Sequence, residues 1–109
     1  MLLLAVPAKS QAAVVKDPAI IYKQLDQNRL EFNQNQEDNT AQYNKDLLAA
    51  RNAYNIAIRK ADKSHSPVAI QAARTMFVQD TAKARTEYVK RLGQNRGILV
   101  HEDWFARNK

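Results

Sequence analysis

Two glycines and three prolines are spread through 109 residues, and cysteine is absent. An all-β protein needs a turn roughly every 8–12 residues, and those turns draw on glycine and proline. A chain so poor in both is directed towards long helices. The length fits one small domain. Many of its apolar residues are alanine, so any core will be thin. Without cysteine there is no disulfide, no thiolate metal site and no cysteine nucleophile.

Apolar spacing supports the helical assignment. Asp17-Pro18 is a helix start, with Asp as N-cap and Pro at the first helical position, where its missing N–H is harmless. Ile21, Leu25 and Phe32 follow at spacings of four and seven. The stripe then fails over Asn33 to Thr40, eight polar residues in a row, three of them Asn. Beyond them Tyr43, Ala50 and Ala57 are seven apart, as are Leu47, Tyr54 and Ala61. The two series interleave as the seam positions of a coiled coil do. The change of phase predicts a break or a stutter across 33–40, with a polar linker as the weaker outcome. A break would let 17–32 fold back as an additional N-terminal helix of a three-helix bundle. Without one, residues 17–63 form a single arm of roughly 70 Å at 1.5 Å per residue.

The run Asp62-Lys63-Ser64-His65-Ser66-Pro67 ends this helix and starts the next, with Ser66 as N-cap and Pro67 as first helical residue. Ile70, Ala73, Phe77, Ala84, Tyr88 and Leu92 form one face. Gly93 is the expected left-handed C-cap, and Arg91 in the last turn suits the helix dipole. The short connection makes 41–63 and 67–92 an antiparallel hairpin. The predicted class is therefore all-α. Its parts are a helical domain over 13–93 and a tail over 94–109 that docks on the hairpin or on a partner. The tail carries Ile98-Leu99-Val100, a β-type run, and the single tryptophan in Trp104-Phe105. No convincing internal repeat is visible.

Residues 1–12 read as the remnant of an export signal: a short apolar run, Pro7, then Ser10-Gln11-Ala12 in the small-x-small pattern. The expected location is thus exported, periplasmic or secreted, and otherwise cytoplasmic. A transmembrane helix would need about 20 apolar residues in succession, and no such run is present.

Charge divides the chain. Residues 1–46 hold five basic and six acidic groups, a balance of −1, and 47–109 hold twelve basic and five acidic, a balance of +7. Arg51, Arg59 and Lys63 follow four- and eight-residue spacings on the first hairpin helix. Arg74, Arg85 and Arg96 are eleven apart, close to three turns, a second basic line if the helix continues to Arg96. These six, with Trp104 and Phe105, are the candidate partner-binding residues. Pairs such as Lys83–Glu87 and Glu87–Arg91 fit an ordinary salt-bridged surface.

No nucleophile motif, phosphate-cradling loop or HExxH pair occurs. His65 and His101 are too isolated to build a metal site, so no metal or cofactor is expected and no catalysis. Tyr43, Tyr54 and Tyr88 fall on the seam and are expected to pack. The sequence points to a non-enzymatic structural or interaction protein that binds a protein partner or itself through its helices and tail. One alternative is a basic nucleic-acid-binding subunit of a larger complex, driven by the +7 balance. A second is a chaperone-like or inhibitory protein of the periplasm, a resemblance of architecture only.

Overall fold

A computed structural model describes residues 17–109. The export-signal remnant expected at 1–12 lies outside the described residues. Two helices account for nearly all the rest: α1, Pro18–Ser64, and α2, Pro67–Asn108. Asp17 caps α1 as its sequence predicts, its Oδ1 accepting from the Ala19 N–H at 3.0 Å. Ser66 caps α2 in the same way, with Oγ accepting from the Ala69 N–H at 3.2 Å. Between them His65 takes a left-handed φ of 49°. Its N–H donates to the Asp62 carbonyl, and the Ser66 N–H reaches back to the Ala61 carbonyl, each at 3.2 Å. Those two bonds close the carbonyl end of α1 in the doubly bonded manner that a left-handed residue after a helix permits.

Of the outcomes open across 33–40, the chain takes the unbroken one: residues 17–32 are the start of one long helix and not an additional N-terminal helix of a three-helix bundle. The expected C-cap at Gly93 fails, because Gly93 does not end α2. The helix runs on through Gly93, Gly97 and the Ile98-Leu99-Val100 run to Asn108, and neither glycine has positive φ.

The chain divides into two compact units. One takes in the described chain up to Gln34 together with Asn95–Lys109, and the other is Asn35–Gln94. In the second unit α1 and α2 pack antiparallel. Tyr43 stacks on Tyr88 with ring centroids 4.5 Å apart, and Tyr54 tilts against Phe77 at 5.0 Å. Its buried side chains are Ala50, Ala61, Ala73 and Ala84. In the first unit Asn28, Asn95 and Ala106 are buried. Gln24 Nε2 donates to Asn28 Oδ1, and Asn28 Nδ2 donates to Asp103 Oδ1 at 3.1 Å. Asn95 Nδ2 donates to the Phe32 carbonyl, also at 3.1 Å. Two buried asparagines therefore align the helix segments of this unit, because each is satisfied only when its partner stands opposite.

The buried positions expose a repeat that the seven-residue frame had hidden. Asn28, half-buried Asn39, Ala50 and Ala61 lie eleven apart on α1, and so do Ala73, Ala84, Asn95 and Ala106 on α2. Aligned on them, α1 from Tyr22 and the whole of α2 read as eleven-residue blocks. An arginine directly follows the small residue in most blocks: Arg29, Arg51, Arg74, Arg85, Arg96 and Arg107. An aromatic residue commonly stands four after it: Phe32, Tyr43, Tyr54, Phe77 and Tyr88. Eleven residues in three turns is 3.67 per turn, so the seam stays near one face of an ordinary helix. The step from Phe32 to Tyr43 is one whole block, which is why the helix continues through eight polar residues. It is a stutter on a heptad scale and regular on an eleven-residue one.

Backbone conformation predicts opposite outcomes at two positions. A Cβ added at Gly93 would meet nothing within 4 Å, so Gly93→Ala should stabilise the protein by about 0.5–1 kcal/mol through helix propensity. His65→Gly should stabilise it by about 1 kcal/mol by relieving the left-handed conformation. Urea unfolding of both variants checks this. A destabilising Gly93→Ala would mean that α2 ends where the sequence suggested.

Candidate functional site

The unit Asn35–Gln94 has two unlike sides, and the eleven-residue block creates them. In an antiparallel pair, positions just after the seam residue fall on the same side of both helices, because chain direction and facing direction reverse together. On that side lie the aromatic pairs. Arg51, Arg74 and Arg85 each stand three residues before one of those aromatics and so share their face. All three are exposed. The half-buried Leu47 lies between the two aromatic pairs and the half-buried Ile58 beyond the second, towards the turn, while Val78 and Val89 extend the apolar surface outwards, each about 60 % exposed.

The other side is a furrow with small residues on its floor. Asp46, Ala49, Ala53, Asp80, Lys83, Glu87 and Arg91 border a hollow of about 580 Å³ over Ala50 and Ala84. Nearer the turn, Ala57, Ala69, Ala72 and Met76 border one of about 390 Å³ over Ala61 and Ala73. In the first hollow three acids face two bases, a balance of −1. Asp46 accepts from Gln42 Nε2 at 2.8 Å, and its other oxygen stands 4.0 Å from Arg91 Nη1. That Nη1 is buried and has no hydrogen-bond partner among the described residues.

Of the candidate binding residues, Arg51, Arg74 and Arg85 share the aromatic side of this unit. Arg59 and Lys63 do not. Each four-residue step turns about 40° beyond a full turn, so the line begun at Arg51 winds round to the back of α1. The sequence spacing was correct, but a four-residue series is not a straight line on a helix.

Arg96, Trp104 and Phe105 belong to the other unit. Continuation of α2 past Gly93 places Arg96 on the helix, three residues before Leu99. Trp104 packs edge-on to Phe105 at 5.5 Å, and Phe105 edge-on to His101 at 4.7 Å. Lys109 Nζ lies 5.7 Å from the Trp104 ring centre, within cation–π range. Both Trp104 and Phe105 keep more than two-fifths of their surface exposed. Beside them Gln24, Glu102 and Lys109 edge a shallow hollow over Asn28 and Ala106.

Among the described residues no cluster of His, Asp and Glu could hold a metal ion, and no helix is long and apolar enough to cross a membrane. Sequence reasoning missed the furrow and its acids, Asp46, Asp80 and Glu87. The eleven-residue spacing of the arginines was the signal that could have located it, had the same period been sought in the alanines. The chain matches no family of known proteins, no curated protein and no solved structure.

One titration is readable in the unit containing the chain end. Partial burial, then the adjacent Glu31 carboxylate and Asp103, hold the Glu102 carboxyl above the ordinary carboxylate range, with His101 pulling the other way. The folded protein therefore takes up this proton at higher pH than the unfolded chain does. Stability should rise as pH falls from neutral through the raised value, and this gain should be complete below the unfolded value. Glu102→Gln should raise the melting temperature at neutral pH and flatten its rise between about pH 7 and pH 4. An unchanged slope in the variant would show that other carboxyls govern it.

Proposed function

We propose that this chain is a non-enzymatic structural or interaction protein, which binds a protein partner or a further copy of itself through its helical surfaces and the apolar residues near its C-terminus. The observation that carries this reading is an inversion of the usual burial order. The buried side chains are alanines and asparagines, whereas Leu48, Val78, Val89, Val100 and Trp104 are half or more exposed. Burying a Leu or Val side chain contributes about 1.5–3 kcal/mol and alanine far less, while fixing each residue costs about 1–2 kcal/mol. A pair of helices with an alanine seam leaves most of its available apolar stabilisation unused until something covers it. The Ser10-Gln11-Ala12 pattern adds an exported location to the reading.

The second reading, a subunit that binds nucleic acid, is favoured by the arginines at one position of successive blocks, which suits phosphate contacts. It ranks lower because the aromatic rings beside them pack on one another and are not displayed as stacking platforms.

The test is unfolding of the full chain followed over a hundredfold range of concentration, with iodide quenching of Trp104. Association predicts a midpoint that climbs with concentration and a tryptophan that becomes shielded as it climbs. A monomer that melts cooperatively at the same temperature throughout, with Trp104 no more quenched than a buried indole, overturns the reading.

A further inference from the structure

The two sides of the unit Asn35–Gln94 complement each other in charge and in bulk. We propose that this unit stacks face to back on a second copy of the chain, the aromatic and arginine side of one copy seating in the furrow of the next. The proposal rests on the interaction reading above and names the partner within it.

The argument starts from what each side excludes. Two aromatic sides placed together would oppose Arg51, Arg74 and Arg85 to their own equivalents, and like charges held at an interface oppose association. Two furrows placed together would set a surface of three acids and two bases, net negative, against its own equivalent. Front against back removes both conflicts. It offers the arginines to Asp80 and Glu87, which stand half-buried at the furrow edge. It also brings protruding side chains such as Val78 and Val89 to a surface floored by alanine, the combination of ridge and groove on which helices pack.

Because the two contacting surfaces differ, the contact is heterologous. A heterologous contact that does not close into a ring continues into a stack.

Charge exchange tests this in the full chain. One variant carries Arg51→Glu, Arg74→Glu and Arg85→Glu, and a second carries Asp80→Lys and Glu87→Lys. Both change exposed or edge positions, and circular dichroism confirms that each keeps its helices. Stacking predicts that the wild-type mass in sedimentation grows with concentration without levelling at a dimer. Either variant alone should associate at least about tenfold more weakly. An equimolar mixture of the two should recover association, since each chain then presents to the other a side opposite in charge. A third variant, with the same arginines changed to Gln, should weaken association less than the Glu variant does.

A mass that levels at a dimer, or a mixture no more associated than its components, overturns the stacking. If wild type and both variants associate equally, stacking is overturned while the interaction reading stands. A wild-type chain that stays monomeric also overturns the stacking, and the concentration-dependent unfolding then decides the wider reading separately.

Discussion

A small side chain at every eleventh residue is the constraint from which the other features of each unit follow. Alanine or asparagine at the point of closest approach lets two helix backbones come near each other. Close approach leaves no room for large apolar groups in the middle of the seam, so those move to its edges. On one edge the block places an aromatic residue, and Tyr43 meets Tyr88 while Tyr54 meets Phe77. On the other it places alanine, aspartate or lysine, and a furrow results. The difference between the two sides of the Asn35–Gln94 unit is therefore a property of the repeat and needs no separate device.

The two units use the seam differently. In Asn35–Gln94 its fully buried members are all alanine, with Asn39 half-buried, and dispersion and aromatic contact hold the helices. Alanine seams are permissive, because one alanine layer resembles the next. In the unit that contains the chain end, Asn28 and Asn95 replace alanine. Their amide groups find partners at Asp103 and at the Phe32 carbonyl. A slip of the helices would leave those amides buried and unmatched, a cost of about 1–3 kcal/mol for each. Asparagine thus supplies the register that alanine cannot specify.

The hairpin was legible in the sequence because its signals are local. Asp17-Pro18 and Ser66-Pro67 cap the helices as read, and the seam residues from Tyr43 to Leu92 are those the spacing selected. The errors came from reading individual residues without the period. Gly93 resembled a stop because glycine commonly ends helices, yet it occupies an ordinary outer position of a block where no Cβ is required. Asn33–Thr40 resembled a break because heptads cannot accommodate a step of eleven. Ile98-Leu99-Val100 resembled a strand, but within the blocks these residues are two outer positions and a half-buried one. At the site, arginines eleven apart were recognised and alanines eleven apart were not. A charged series stands out in a sequence, whereas a series of alanines disappears among the many others.

Ser66 is the one residue between Tyr22 and the chain end that belongs to no block. It sits between the left-handed His65 and Pro67, where α1 ends and α2 begins. One surplus residue at the reversal lets the blocks of α2 meet those of α1 in matching order. The reversal is consequently independent of how many blocks precede or follow it. Such an architecture makes length a quantity that can change by duplication. One block gained or lost in each arm alters the helices by about 16.5 Å and leaves the pattern of small, basic and aromatic positions intact. A change of one or two residues would instead turn everything beyond it by about 100–200° and take the furrow positions off their side.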